Sequence, residues 1–71
     1  MNKKLGLNIR RIRQKRGLTQ YKLAEMVKVD VSTINKIEKC KANPSLSLLY
    51  RLADVLGVSV TILLQDDEES A

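Results

Sequence analysis

The sequence predicts an all-α fold, a compact bundle of five short helices in which the second and third cross over a tight turn. Apolar residues recur at helical spacing through nearly the whole chain, and residues that start and stop helices punctuate that spacing. The stretch with strand-like composition, Val58-Ser59-Val60-Thr61-Ile62, has no second strand to pair with. At 71 residues there is material for one domain, assigned to residues 1–65. The acidic tail over residues 66–71 is too polar to pack and is expected to be disordered.

Each helix has its own warrant. Leu5, Ile9 and Ile12 stand at i, i+4 and i+7, one face of a first helix that ends near Arg16. Gly17 follows as a left-handed stop, and Lys15 and Arg16 suit the negative end of the helix dipole. Thr19 caps a second helix with Leu23, Ala24 and Val27 inward. Lys28-Val29 makes the turn, and Asp30 caps a third helix with Ile34 and Ile37 inward. Thr33 stands where a capping box would place Glu or Gln, so that cap is one-sided. Residues 40–43 form a loop closed by Asn43-Pro44, and Ser45 caps a fourth helix with Leu46, Leu49, Leu52, Ala53 and Leu56 inward. Gly57 stops it, and a short last helix over residues 60–65 carries Leu63 and Leu64.

Composition removes whole classes of function. There is no histidine and one cysteine, Cys40, so neither a Cys/His zinc site nor an internal disulfide is expected. No metal or cofactor is expected, and Cys40 has no histidine to activate it as a nucleophile, so the chain is not read as an enzyme. Cys40 is an inert loop residue or, alternatively, a redox switch. No apolar run is long enough to span a membrane, and Met1-Asn2-Lys3-Lys4 does not open a signal peptide, so the expected compartment is the cytoplasm.

Charge is unevenly spread. Residues 1–22 hold eight bases and no acid, whereas residues 42–71 hold Arg51 against five acids, four of them in Asp66–Glu69. A basic body beside an acidic tail attracts polyanions by its field and by counterion release, or the bases merely solvate helix faces.

The informative segment runs from Thr19 to Lys39. Two helices joined by so short a turn must cross steeply, which asks for a small residue at the crossing and a left-handed residue at the turn. Ala24 and Lys28 occupy those positions, and Ile34 and Ile37 seal the crossing from below. The run Leu18-Thr19-Gln20, Leu23-Ala24, Val29, Ser32, Ile34, Ile37-Glu38, Asn43-Pro44-Ser45-Leu46, Leu49, Leu52-Ala53, Leu56-Gly57-Val58-Ser59 and Leu63 resembles the lambda-repressor/Cro-like, or XRE-type, helix-turn-helix family. The resemblance covers residues 7–64. It implies a five-helix bundle that binds operator DNA as a dimer, with the third helix docked in the major groove. Two positions depart from the family pattern: Lys28 replaces the turn glycine, and Cys40 replaces the glycine two residues after Glu38.

Docked in that way, Val31, Ser32, Asn35 and Lys36 are the candidate base contacts, because Ile34 and Ile37 turn the other face inward. Lys36 can donate to guanine, Asn35 can pair with adenine, Ser32 can meet either, and Val31 fits a thymine methyl or is an ordinary exposed apolar residue. The resemblance makes Gln20 a phosphate clamp. Tyr21, Lys39, Lys41 and Asn43 flank the recognition helix as further phosphate contacts, with plain solvation the alternative for the lysines. Arg13 and Glu38 sit at the edge of the core, and the resemblance implies an ion pair between them.

Leu48, Val55 and Ile62 are expected to form an apolar strip, which is either a homodimer contact or is covered within the monomer. The function expected is a sequence-specific transcriptional regulator acting as a repressor on double-stranded DNA. The alternative is an antitoxin-like module whose main partner is another protein.

Overall fold

The computed structural model describes residues 4–66. Among them the chain is all-helical: α1 (Leu5–Lys15), α2 (Gln20–Val27), α3 (Val31–Glu38), α4 (Leu46–Leu56) and α5 (Val60–Leu63). The strand-like residues 58–62 therefore form a turn and the start of α5, with Ser59 Oγ capping the Ile62 N–H at 3.3 Å. Thr19 and Ser45 cap α2 and α4 in the same way, accepting from Lys22 N–H and Leu48 N–H. Asp30 occupies the N-cap of α3 with extended backbone, but its side chain makes no capping bond.

The first four helices end alike. In each, a left-handed residue follows the last turn, and the next N–H reaches back to a carbonyl five residues earlier. These bonds run from Leu18 to Arg13, Val29 to Ala24, Lys41 to Lys36 and Val58 to Ala53, all at 2.8–3.1 Å. The left-handed residues are Gly17 and Gly57, where glycine adopts φ of 71° and 73° without penalty, and Lys28 and Cys40, at φ of 64° and 61°. A side chain at such a φ costs on the order of 1 kcal/mol. Both strained turns flank α3.

The core is one cluster. Ile9, Leu23, Ile34, Leu49, Leu52, Leu56 and Leu63 are fully buried, joined by Leu5, Ala24, Val27, Ile37, Leu48 and Ala53. Two expectations for α4 are corrected here. Leu46 is not inward: it begins the helix, beyond the reach of the core, and is 63% exposed. Leu48 is not on an outer strip: α4 packs against α2 and also against α1 and α5, so its buried arc is wide enough to include Leu48, which is only 6% exposed. Ile12 and Leu64 pack at the margin of the cluster.

Two residues of α1 fix how it lies on its neighbours. A Cβ at Gly6 would strike the backbone oxygens of Ile37 and Glu38, so only glycine lets α1 press onto the end of α3. Asn8 is buried, and its Nδ2 donates to the carbonyls of Leu63 at 2.8 Å and Gln65 at 2.9 Å. Those carbonyls belong to the last residue of α5 and to the chain just after it, and the helix stops at Leu63 and not at Gln65. The expected tail falls on Asp66, which is exposed, and on residues 67–71, which lie outside the described residues.

Candidate nucleic-acid interface

Local contacts hold the two-helix unit of α2 and α3 together. Ala24, 2% exposed, gives α3 room to cross, and Val29 packs against the core from the turn between the helices. Arg51 of α4 donates through Nη1 to the Val27 carbonyl at 2.8 Å, satisfying an orphan acceptor at the end of α2.

With Ile34 and Ile37 buried, α3 turns its opposite side outward. Val31 is 41% exposed, Ser32 and Lys36 are exposed, and Asn35 is half-buried. These four are at i, i+1, i+4 and i+5, so they share one face and offer a methyl pair, a hydroxyl, an amide and an ammonium. That mixture of groups is what base edges in a major groove can be read with. An open groove of about 400 Å³ runs between α2 and the start of α3, lined by Tyr21, Glu25, Asp30, Val31 and Ser32 among others.

Adjoining this face at Asn35 is a polar hollow of about 200 Å³ lined by Arg10, Arg13, Gln20, Asn35, Glu38 and Lys39. Arg13 donates from Nε to Glu38 Oε2 at 2.7 Å and from Nη2 to Glu38 Oε1 at 3.0 Å, while Nη1 donates to the Leu18 carbonyl at 2.7 Å. Both ion-pair side chains are nearly enclosed, at 10% and 2% exposure. Gln20 Nε2 donates to Glu38 Oε1 at 3.0 Å, and Asn35 Nδ2 donates to Gln20 Oε1 at 3.3 Å. The chain of contacts thus runs from α1 through the end of α3 and the start of α2 to the recognition face.

The remaining candidates are placed as follows. Tyr21 is 68% exposed at the start of α2, beside the groove. Lys39 closes α3 and borders the hollow, whereas Lys41 and Asn43 are exposed in the loop that follows and do not line it. Val55 is half-buried and Ile62 is 37% exposed; with Leu48 in the core, the three do not form a continuous outer strip.

Arg10, Asn8, Gly6 and Arg51 also matter, and sequence reasoning passed over them. Arg10 lies one turn before Arg13, a spacing that puts both on the hollow. Asn8 interrupts the apolar stripe at the i+3 position after Leu5, and a glycine within a helix marks close backbone approach.

Comparison with known proteins gives this geometry its context. A helix-turn-helix family model matches residues 9–63. A helix-turn-helix-type transcriptional regulator of Archaeoglobus fulgidus is 45% identical over 62 residues, covering 86% of this chain and 89% of that protein. The immunity repressor of Bacillus phage phi105 is 38% identical over 63 residues, and the match spans 89% of this chain but 44% of the repressor. SinR, the Bacillus subtilis master regulator for biofilm formation, has a similar fold in its complex with DNA, at TM-score 0.80 and 35% identity over 86% of this chain and 98% of that one. A chain of the SinR–SinI protein complex gives TM-score 0.85 at 34% identity, over 94% of this chain and 66% of that one. With the match spanning most of its core and the two crossing helices in place, the chain belongs to the XRE-type helix-turn-helix family of transcription regulators.

Proposed function

We propose that this transcription regulator is a repressor that occupies a pseudo-palindromic operator as a homodimer in the cytoplasm. The observation that carries the reading is the exposed face of α3, where Val31, Ser32, Asn35 and Lys36 stand together on a helix held rigidly by Ile34 and Ile37. These four read base edges. Gln20, Tyr21, Lys39, Lys41 and Asn43 hold phosphates, and Arg10 at the rim of the hollow joins them. Ile62 and the margin of Val55 supply the contact between copies. The likeness to a phage repressor and to a regulator bound to DNA supports the reading.

Titration of duplex DNA at rising salt tests it. Binding through several phosphates makes log K fall linearly with log salt, at about 0.9 per phosphate neutralised. A salt-insensitive or absent interaction contradicts it. The second reading, a module whose main partner is another protein, draws on the likeness to a chain of the SinR–SinI protein complex. Stoichiometric binding of a protein on the exposed Leu46 and Tyr50 side of α4, with no affinity for DNA, favours it.

A further inference from the structure

We infer that Glu38 sets the polarity of Asn35 through Gln20, so that Asn35 offers its carbonyl oxygen to the DNA and favours the orientation of a base pair that brings its amino donor to that oxygen. The inference rests on the DNA-binding reading and deepens it from which residues touch bases to which base edge one of them accepts.

The chemistry of the three links leaves little freedom. A carboxylate only accepts hydrogen bonds, and Glu38 Oε1 already takes one from Arg13 Nη2. The end of Gln20 that faces it at 3.0 Å must therefore be the amide nitrogen. Nitrogen and oxygen sit on the same amide carbon, so the other end, facing Asn35, is an acceptor. Asn35 must answer with its own nitrogen, as the 3.3 Å contact from Nδ2 to Gln20 Oε1 records. Asn35 Oδ1 is then the end of that amide not engaged with Gln20, on the half-buried residue between the exposed Ser32 and Lys36.

An unconstrained asparagine presents either end at no cost and meets donors or acceptors alike. Here, turning Asn35 over would set two carbonyl oxygens face to face, or would force Gln20 to set its oxygen against Glu38. In the major groove every base pair presents one amino donor, adenine N6 or cytosine N4, opposite a carbonyl acceptor, so an oriented acceptor distinguishes a pair from its strand-reversed form. The buried pair thereby reaches the recognition face, which makes Glu38 and Gln20 positioning residues for specificity.

Selection from a random duplex library, run with folded wild type, Asn35→Ala, Glu38→Gln and Gln20→Leu, tests this. The position that Asn35 reads is the one whose preference vanishes in Asn35→Ala. In the wild type it should favour one base pair over the same pair with its strands exchanged by about fivefold or more. Glu38→Gln should flatten that position while the preferences set by Ser32 and Lys36 remain. Gln20→Leu, which leaves the Arg13–Glu38 pair intact and guards against an unfolded Glu38 variant, should do the same even if it lowers affinity overall. A merely structural role for Glu38 predicts the opposite, an even loss of affinity with the base profile unchanged. A position indifferent to reversal of its base pair, no position answering to Asn35, or an unchanged profile in both linking variants overturns the inference. Failure of the wild type to enrich any sequence strikes instead at the DNA-binding reading.

Discussion

Arg13 on α1 holds Glu38 at the end of α3 with two parallel hydrogen bonds of 2.7 and 3.0 Å, in a setting that leaves the Glu38 side chain 2% exposed. The pair joins the scaffold helix to the recognition helix, and Arg13 spends its third nitrogen on the Leu18 carbonyl. Removing one partner strands the other in a poorly hydrated place, at a cost of about 3–5 kcal/mol. Arg13→Ala should therefore lower the melting temperature by more than about 10 °C and weaken DNA binding through loss of folded protein. Unchanged thermal stability in that variant would show that the pair has no such structural role.

The two non-glycine left-handed turns invite stabilisation. Lys28→Gly and Cys40→Gly each relieve about 1 kcal/mol of backbone strain at φ of 64° and 61°. Each should raise the melting temperature by about 4–8 °C, read by circular dichroism. A fall in either variant means the turn is not strained as described.

Gly6 makes the reverse case. A methyl group there meets the backbone oxygens of Ile37 and Glu38, which cannot step aside without moving the end of α3. Gly6→Ala should cost about 1–3 kcal/mol by overpacking, even though alanine favours helix. A denaturant midpoint equal to that of the wild type would mean that α1 and α3 do not approach so closely.

On α4 the contrast between two leucines is measurable. Leu48→Ala opens a cavity in the core and should cost about 2–5 kcal/mol. Leu46→Ala, at a site 63% exposed, should stay within about 0.5 kcal/mol of wild type. Equal costs would contradict the placement of the two side chains.

These leucines also show where the sequence stopped being readable. Helical spacing was enough for the helices themselves, and for the buried face of α3, because Ile34 and Ile37 leave no competing arrangement. The apolar residues of α4 cover two overlapping arcs, and which arc is buried depends on how many neighbours surround the helix. That is a tertiary fact absent from local periodicity. The recognition face was legible as a set of residue types. The hydrogen bonds that tie Gln20 to Glu38 and Asn35 were not, because the contacts join residues 15 to 18 positions apart on different helices. Likewise, the breadth of the hollow and the place of Arg10 on it follow from how α1 crosses α3.

Phosphate and base contacts separate by salt. Lys39→Ala and Lys41→Ala should each lower the slope of log K against log salt by about 0.9 while leaving base preference intact. Lys36→Ala should relax preference at one base position by about 1–3 kcal/mol. An equal, sequence-independent loss in all three variants would assign Lys36 to the backbone.

The most direct measurement is selection of bound sites from a random DNA library by the wild-type chain, with Lys36→Ala in parallel. The expected result is an inverted repeat whose half-sites are centred about one helical turn apart, roughly 34–36 Å along the duplex, with one position per half-site losing its preference in the variant. Recovery of unenriched sequence by the wild type, or a motif that Lys36→Ala leaves untouched, would contradict it.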